Sequence, residues 1–397
     1  MDRSGAPEIT PERAGHYRLQ PGGHRAFEPR ALPPDPRLEL SGVLQEQLSK
    51  ADRALGRLDG SITTLPHPDL FIFMYLRREA VLSSQIEGTQ SSLNDVLSAE
   101  ASILDPDRPS DVDEVVNYIS AMKVGLERLE TLPVSTRLFR EIHGVLLAGR
   151  RGDHRDAGRF RTRQNWIGPA GCTIDEAAFV PPPPDRVEAH LADLERFIHG
   201  DSGLPLLVKV ALVHAQFETI HPFLDGNGRL GRLLITFLLH ERGVLTRPVL
   251  YLSAYLKRHR SRYYELLQRV RDGGDWEAWI LFFLQGMEEV SHQAATTTRE
   301  ILLLRERLRQ LIVDHLPRSA GTAHQILEHL FSHPIVSISQ LCEATEQSFP
   351  SVNNIVKRLE ALEILREMTG RTRNRRYQFK EYIRLFSMES PPRHAAS

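Results

Sequence analysis

His221-Pro222-Phe223-Leu224-Asp225-Gly226-Asn227-Gly228-Arg229-Leu230-Gly231-Arg232 holds the densest chemistry in the chain. It separates two apolar runs with helical spacing, residues 204–217 before it and Leu230, Leu233, Leu234, Phe237 and Leu238 after it. Gly226 and Gly228 flank Asn227, so the backbone can take unusual dihedrals and approach a ligand closely. Successive amides in a turn that leads into a helix N-terminus form an anion nest. Arg229 and Arg232 stand at the start of that helix, where cations oppose the helix dipole, so a bound anion is the natural reason for them. Asp225 offers a hard oxygen ligand, and beside phosphates it suggests Mg2+, with Mn2+ as a substitute. His221 titrates near neutrality when unperturbed and can serve as general base. The set points to phosphate-nucleotide chemistry. The chain has no GxxxxGK[ST] loop and no HExxH, and Gly200-Asp201-Ser202-Gly203 lacks the context of a nucleophilic serine.

Working outward, a helical period begins at Leu38 and runs through Leu40, Val43, Leu44, Leu48, Ala51, Leu55 and Leu58. Asp59-Gly60 and Pro66-His67-Pro68 predict a break. A strong helix follows from about Asp69 through Phe73, Leu76 and Ala80 to Ile86, with Gly88 as its stop. Asp111 is positioned to cap a helix carrying Val115, Val116, Ile119, Met122 and Leu126, and Ser135 or Thr136 opens the next, which ends near Gly149. Residues 150–185 change character: Gly168-Pro169-Ala170-Gly171 is turn chemistry, and Phe179-Val180 leads into four prolines, the stiff exit of a β-hairpin or extended flap. Helices are expected at 185–198 and 204–217, then at about 253–271, 275–291 and 293–314. His214, Trp276 and Trp279 read as core, and Glu265 with Arg269 as a surface i,i+4 pair.

Residues 320–380 form a separate pattern, with helices at about 322–332, 337–344 and 348–362 and a short strand at 336–338. Ile364-Leu365-Arg366-Glu367-Met368, Gly370 and Tyr377-Gln378-Phe379 read as a two-stranded wing, giving a winged helix-turn-helix arrangement. Asn353, Asn354, Lys357 and Arg358 would lie on its recognition helix, with Arg371, Arg373, Arg375, Arg376 and Lys380 on the wing; these suit phosphate contacts with DNA. Dimerisation or target docking is the other use of such a module.

The 397 residues predict two or three domains, and a net charge of -1 excludes a wholesale nucleic-acid or anionic-membrane binder. Two distant cysteines, Cys172 and Cys342, exclude a disulfide framework and fit a cytoplasmic setting. No stretch is apolar enough to span a membrane, and the first ten residues lack the apolar core of a signal peptide. Residues 1–37, rich in Pro, Gly, Arg and His, read as an extended arm, partly ordered at best.

The loop resembles the signature of the Fic family, His-x-Phe-x-(Asp/Glu)-Gly-Asn-Gly-Arg-x-x-Arg, with every specified position filled. Gly158-Arg159-Phe160-Arg161 and Trp166-Ile167-Gly168 are similar to the family's flap, and Ser261-Arg262-Tyr263-Tyr264 and the run from Trp276-Glu277 to Phe283 to its later core helices. The resemblance covers about residues 38–290. It implies a mostly α fold: a Fic-type helical core with a β-hairpin flap, plus the C-terminal winged helix. On that reading the domains are the arm 1–37, a helical region 38–134, a catalytic core 135–291, a linker helix 292–317 and a winged helix 318–385. It also implies AMP transfer from ATP to a Ser, Thr or Tyr hydroxyl of a target protein and of the chain itself. His221 would be the base and Asp225 the Mg2+ ligand. Gly226, Asn227, Gly228, Arg229, Leu230, Gly231 and Arg232 would hold the phosphates, Ile167, Gly168, Pro169 and Ala170 would lie along nucleotide and target, and Tyr263 near the nucleoside. The target would dock on the flap as an added strand. A homodimer is a further implication.

Ser83-Ser84-Gln85-Ile86-Glu87-Gly88 resembles the family's inhibitory motif, (Ser/Thr)-x-x-x-Glu-(Gly/Asn), with Ser83, Glu87 and Gly88 in the fixed places. A Glu87 carboxylate can pair bidentately with Arg232 and displace the γ-phosphate. The expectation is an autoinhibited protein adenylyltransferase. The alternatives are a de-AMPylating phosphodiesterase and a DNA-binding regulator that uses the core as a sensor.

Overall fold

The computed structural model describes residues 11–63, 68–101, 109–149 and 156–387. The sequence readings at 1–10, Pro66-His67 and 150–155 lie outside these residues.

The N-terminal arm forms a β-hairpin, which its composition concealed. Strand β1 (Gly15–Leu19) pairs antiparallel with β2 (Arg25–Pro29), placing Tyr17 opposite Phe27. Pro, Gly and Arg diluted the alternation, and Ala26 and Phe27, both buried, lie on opposite faces of β2 and so leave no period-2 signal. Helix α1 (Gly42–Thr63) continues through Asp59-Gly60. Its buried stripe of Leu55, Leu58 and Ile62 does not break there, and the Asp59 carboxylate is turned outward to accept from Thr246.

Helix α2 (Pro68–Ile86) follows, then α3 (Leu93–Glu100), a short helix that was not foreseen. Its signal is the reciprocal cap between Ser92 and Asp95. Next come α4 (Val112–Leu129) and α5 (Thr136–Leu146), the second capped by the Ser135 hydroxyl. Asp111 makes no side-chain cap to α4; its carboxylate instead accepts from the Gln90 amide at 2.6 Å and from the Ser91 hydroxyl, pinning the loop that leaves α2.

The flap is a loop closed by one antiparallel bridge rather than a full hairpin. The Ile167 amide donates to the Phe179 carbonyl at 2.8 Å and the Phe179 amide returns the bond at 3.1 Å. Between them lie Gly168, Pro169 and Gly171, which cannot sustain a ladder. The core continues with α6 (Val187–His199), α7 (Leu206–Ile220), α8 (Asn227–Glu241), α9 (Ser253–Arg258) and α10 (Arg260–Gly273). The runs that flank the signature are α7 and α8, buried on nearly every side, as helices without a polar face must be. Helix α11 (Trp276–His315) is one 40-residue rod of roughly 60 Å, not two helices. Its buried side passes unbroken through Val290, Ala294, Ile301, Leu304 and Leu308, and α1 lies along it.

The C-terminal elements are α12 (Ala320–Ser332), β3 (Ile335–Val336), α13 (Ile338–Thr345), α14 (Phe349–Ala361), β4 (Arg366–Glu367), β5 (Tyr377–Gln378) and α15 (Lys380–Ser387). The strands form one antiparallel sheet in the order β3-β5-β4. Lys380 opens α15 instead of extending the basic hairpin. Helices α12 and α15 pack on α2, which also touches α4, α8 and α9. The molecule is mostly helical, and no described helix is long and apolar enough to cross a membrane.

Candidate functional site

Helix α7 ends at His221 in a left-handed conformation, φ +48°, and α8 begins after Gly226 at φ +77°. The six residues 221–226 between the two helices make a tight corner. The Asn227 side chain closes it: Nδ2 donates to the Phe223 carbonyl at 2.8 Å, and Oδ1 accepts from the Phe223 amide at 2.9 Å. The Asn227 side-chain amide is thereby committed to the loop, which leaves its backbone at the start of α8 for the expected cradle. Asp225 is half-buried, and its Oδ1 accepts from the Gly226 amide at 2.7 Å.

The signature arginines are both buried and both held by carboxylates from earlier helices. Arg229 Nη1 donates to Glu114 of α4 at 3.1 Å, with Asp225 3.7 Å from Nη2. Arg232 donates from Nη2 to Glu87 Oε1 at 2.7 Å and to the Ser83 carbonyl at 2.9 Å, and from Nε to the Ser83 hydroxyl at 2.8 Å. The Glu87 contact is thus single rather than bidentate, because Ser83 takes the other edge of the guanidinium. Burial alone would lower the Arg232 pKa, and the acidic groups around it, Glu87 foremost, together more than reverse this. Gly228 makes the pairing possible: a Cβ there would lie 2.2 Å from Glu87 Oε1.

His221 is half-buried, with Nδ1 3.4 Å from the Glu218 carbonyl. A carbonyl only accepts, so Nδ1 carries the proton and Nε2 is the free base. Burial, then the charges of Arg271 and Arg161, pull its pKa down to about 3, well below the near-neutral titration expected from its type. Leu230 is buried in α8, and the Gly231 carbonyl is taken by His214 Nδ1 at 2.9 Å, so neither faces a ligand as expected. Tyr263 is also buried, 1% exposed, and its hydroxyl bonds His214 Nε2 at 3.0 Å. Its neighbour Tyr264, 40% exposed, is the tyrosine that presents a surface here. Gly168, Pro169 and Ala170 are exposed at the flap tip, Ile167 is half-buried at its base, and Gly88 is exposed beyond α2.

Two regions of the chain match families of known proteins. Residues 45–127 match the family described as Fic/DOC family N-terminal, and residues 133–239 match the Fic/DOC family itself. The second region holds the loop, His221 and both arginines.

Over these two regions the chain is similar to the Fic/DOC family.

A probable protein adenylyltransferase of Aquifex aeolicus is 34% identical over 97 residues, covering 24% of this chain and 28% of that one. The protein adenylyltransferase Fic of Culex quinquefasciatus is 27% identical over 202 residues, 48% of this chain and 36% of that one. The matches thus span about a third of these relatives' length. A Fic family protein from Desulfovibrio desulfuricans has a similar fold, with a TM-score of 0.57 at 21% identity, covering 86% of this chain and 97% of that one.

Around this loop lie residues to which sequence reasoning gave no role of their own. His143 of α5 stacks on Phe223 at 3.7 Å; its Nδ1 accepts from the Gly158 amide at 2.9 Å, so Nε2 donates to the Asp225 carbonyl at 3.0 Å. Arg161 is buried and donates from Nε to the His221 carbonyl at 2.9 Å and from Nη2 to the Pro182 carbonyl. Glu218 is buried beside Arg232 and Arg271, with its Oε1 lacking a hydrogen-bond partner among the described residues; burial first, then Glu87, push its pKa up to about 7. No local motif marks His143 and Glu218, and the flap run that contains Arg161 does not say what it meets, because the partners lie far away in the chain.

The basic residues of the C-terminal elements are mostly open to solvent. Asn354, Lys357, Arg371, Arg373 and Arg375 are exposed, while Asn353 and Arg376 are half-buried. Arg358 donates to the His315 carbonyl, capping α11 rather than standing free.

Proposed function

We propose that this chain transfers AMP from ATP to a Ser, Thr or Tyr hydroxyl of a protein, including its own, and that Glu87 holds it inactive. The observation that carries the reading is the Ser83–Arg232–Glu87 pairing laid over the Fic loop. Arg232 is the natural seat for the far phosphates, and a carboxylate now occupies it. In the reaction the target oxygen attacks the α-phosphorus, the bond to the β-phosphate breaks, pyrophosphate leaves, and His221 Nε2 takes the hydroxyl proton. The neutral imidazole is the correct acceptor, and the negative triphosphate would raise its basicity toward working pH. The backbone amides at the start of α8, together with Arg229 and Arg232, would supply the fixed positive field that phosphoryl chemistry needs. No group of three or more metal-ligating side chains occurs among the described residues. A single half-exposed carboxylate, Asp225, nevertheless fits Mg2+ that takes most of its ligands from phosphates and water, and that ion would neutralise charge there. The relatives named protein adenylyltransferase support the same chemistry.

Labelling with α-labelled ATP tests this. Glu87→Gly should label strongly, the wild type weakly and His221→Ala not at all; equal labelling of all three would refute it. The Glu87 carboxylate could also orient a water toward a modified hydroxyl. Release of AMP from modified target, lost in Glu87→Gly, would favour removal over addition.

For the C-terminal elements we infer a winged helix that binds DNA through α14 and the Arg371–Arg375 turn. The exposed, uniformly basic turn supports this. Duplex binding by the full chain that does not weaken with salt, or does not occur, would favour docking to protein.

A further inference from the structure

Phe179 sits where three parts of the molecule meet. Its backbone forms the flap's bridge to Ile167. One side of its ring faces Phe27 of β2, centroids 6.0 Å apart, and the Phe27 amide donates to the Val180 carbonyl at 2.9 Å. The Arg271 guanidinium of α10 lies over the ring, 3.8 Å from its centroid. The same buried guanidinium donates from Nε to the Thr219 hydroxyl and from Nη2 to the Glu218 carbonyl, both at 3.3 Å. These groups belong to the last turn of α7, two and three residues before His221, and the Glu218 carbonyl also faces His221 Nδ1.

We infer that Arg271 is a positioning residue that holds the base of the flap and the His221 ring in one fixed relation. Its purpose rests on the AMP-transfer reading, in which the flap aligns a target hydroxyl and His221 takes its proton. Arginine suits the task because its planar fork can stack through its face while donating along its edge, which lysine cannot do. A cation over the last carbonyls of α7 also complements the helix dipole. The hairpin β1–β2 becomes the outer jaw of the same clamp, with Phe179 gripped between Phe27 and Arg271.

The charged groups facing His221 are Arg271 from α10, Arg161 from the flap and Asp225 from its own loop, with the Glu218 carbonyl from α7. The test uses the full chain and three variants, Arg271→Lys, Arg271→Gln and Phe27→Ala. It follows hydrogen exchange of the Ile167 and Phe179 amides and the NMR titration of the His221 ring. Both Arg271 variants should speed exchange at the two flap amides about tenfold, as expected for loss of a desolvated cation–π contact. Arg271→Gln should also raise the His221 midpoint, while Arg271→Lys leaves it low. Phe27→Ala should speed flap exchange and leave His221 unmoved, reporting the clamp without touching α7. Flap amides and a His221 midpoint unchanged in a folded Arg271→Gln protein would overturn the inference. So would exchange rising uniformly over α7, α8 and the flap in every variant. Neither readout requires turnover, so failure of the AMP-transfer reading would leave this result standing. If that reading holds, Arg271→Lys in a Glu87→Gly background should raise KM for the protein acceptor more than KM for ATP.

Discussion

The two ends of helix α2 are held by opposite physics. Its first half presents aromatic surface: Tyr75 meets Phe386 of α15 edge-on at 5.2 Å and donates its hydroxyl to the Ala294 carbonyl at 3.1 Å. Phe73 lies 5.8 Å from His333, the residue that follows α12, with the Arg77 guanidinium 3.2 Å over its ring. Its last turn presents Ser83 and then Glu87 to Arg232. The aromatic end is held by burial, which no small solute can replace. The charged end is held by a carboxylate that, on the proposed reading, the phosphates of ATP displace. One rigid helix thus joins a permanent anchor to an exchangeable one, and the anchor is built partly from the C-terminal elements.

Breaking the anchor should have the largest effect on stability. Tyr75→Ala empties a buried aromatic site and should cost about 3–5 kcal/mol, read from urea unfolding. Its effect on labelling should be smaller than that of breaking the charged end. Glu87→Gly should leave unfolding nearly unchanged and raise labelling about 10²-fold, the size expected when a misplaced phosphate returns to its reactive position. If Tyr75→Ala raised labelling as much as Glu87→Gly, the two ends would not be separable. Ser83→Ala removes the hydroxyl partner of Arg232 Nε and should raise labelling about fivefold, equivalent to one ordinary hydrogen bond.

The smallest effect is in pH. His143 and His214 have pKa values lowered to about 4 and His221 to about 3, from 6.5, by burial first. Below about 6.5 the unfolded chain binds more protons at these sites, so stability falls as pH drops toward 4. Glu218 runs the other way. Its pKa of about 7 lies above the ordinary 4.5, so the folded state holds the extra proton and stability falls as pH rises from about 4.5 to 7. Glu218→Gln should therefore raise the melting temperature, relative to wild type, more at pH 8 than at pH 5. An equal shift at both values would place its proton elsewhere.

Much of this was legible in the residues. Helices with a one-sided apolar stripe, such as α4 and α5, declared themselves, because the 3.6-residue period is local. The loop from His221 to Arg232 was legible because its glycines, acid and arginines are contiguous. The hairpin β1–β2 was hidden because its strands are short and its buried residues in β2, Ala26, Phe27 and Pro29, do not alternate with exposed ones. Helix α11 was read as two because a polar exposed face looks like a break when its buried side is unknown. Tyr263 was placed at the ligand because sequence spacing cannot say which of two adjacent tyrosines turns into the core.

By itself the sequence determined the loop, its charge, the Ser83–Gly88 motif and the helical architecture, since each depends on residues close together in the chain. Only the tertiary structure decided what those charges meet. Arg232 lies 145 positions from Glu87 and Arg271 52 from Thr219, and their pairing is set by how α2, α7, α8 and α10 pack. The same packing turned a histidine that titrates near neutrality in water into one held neutral between two buried arginines. Burial and through-space charge have no period in a sequence, so the loop could be read there and its working state could not.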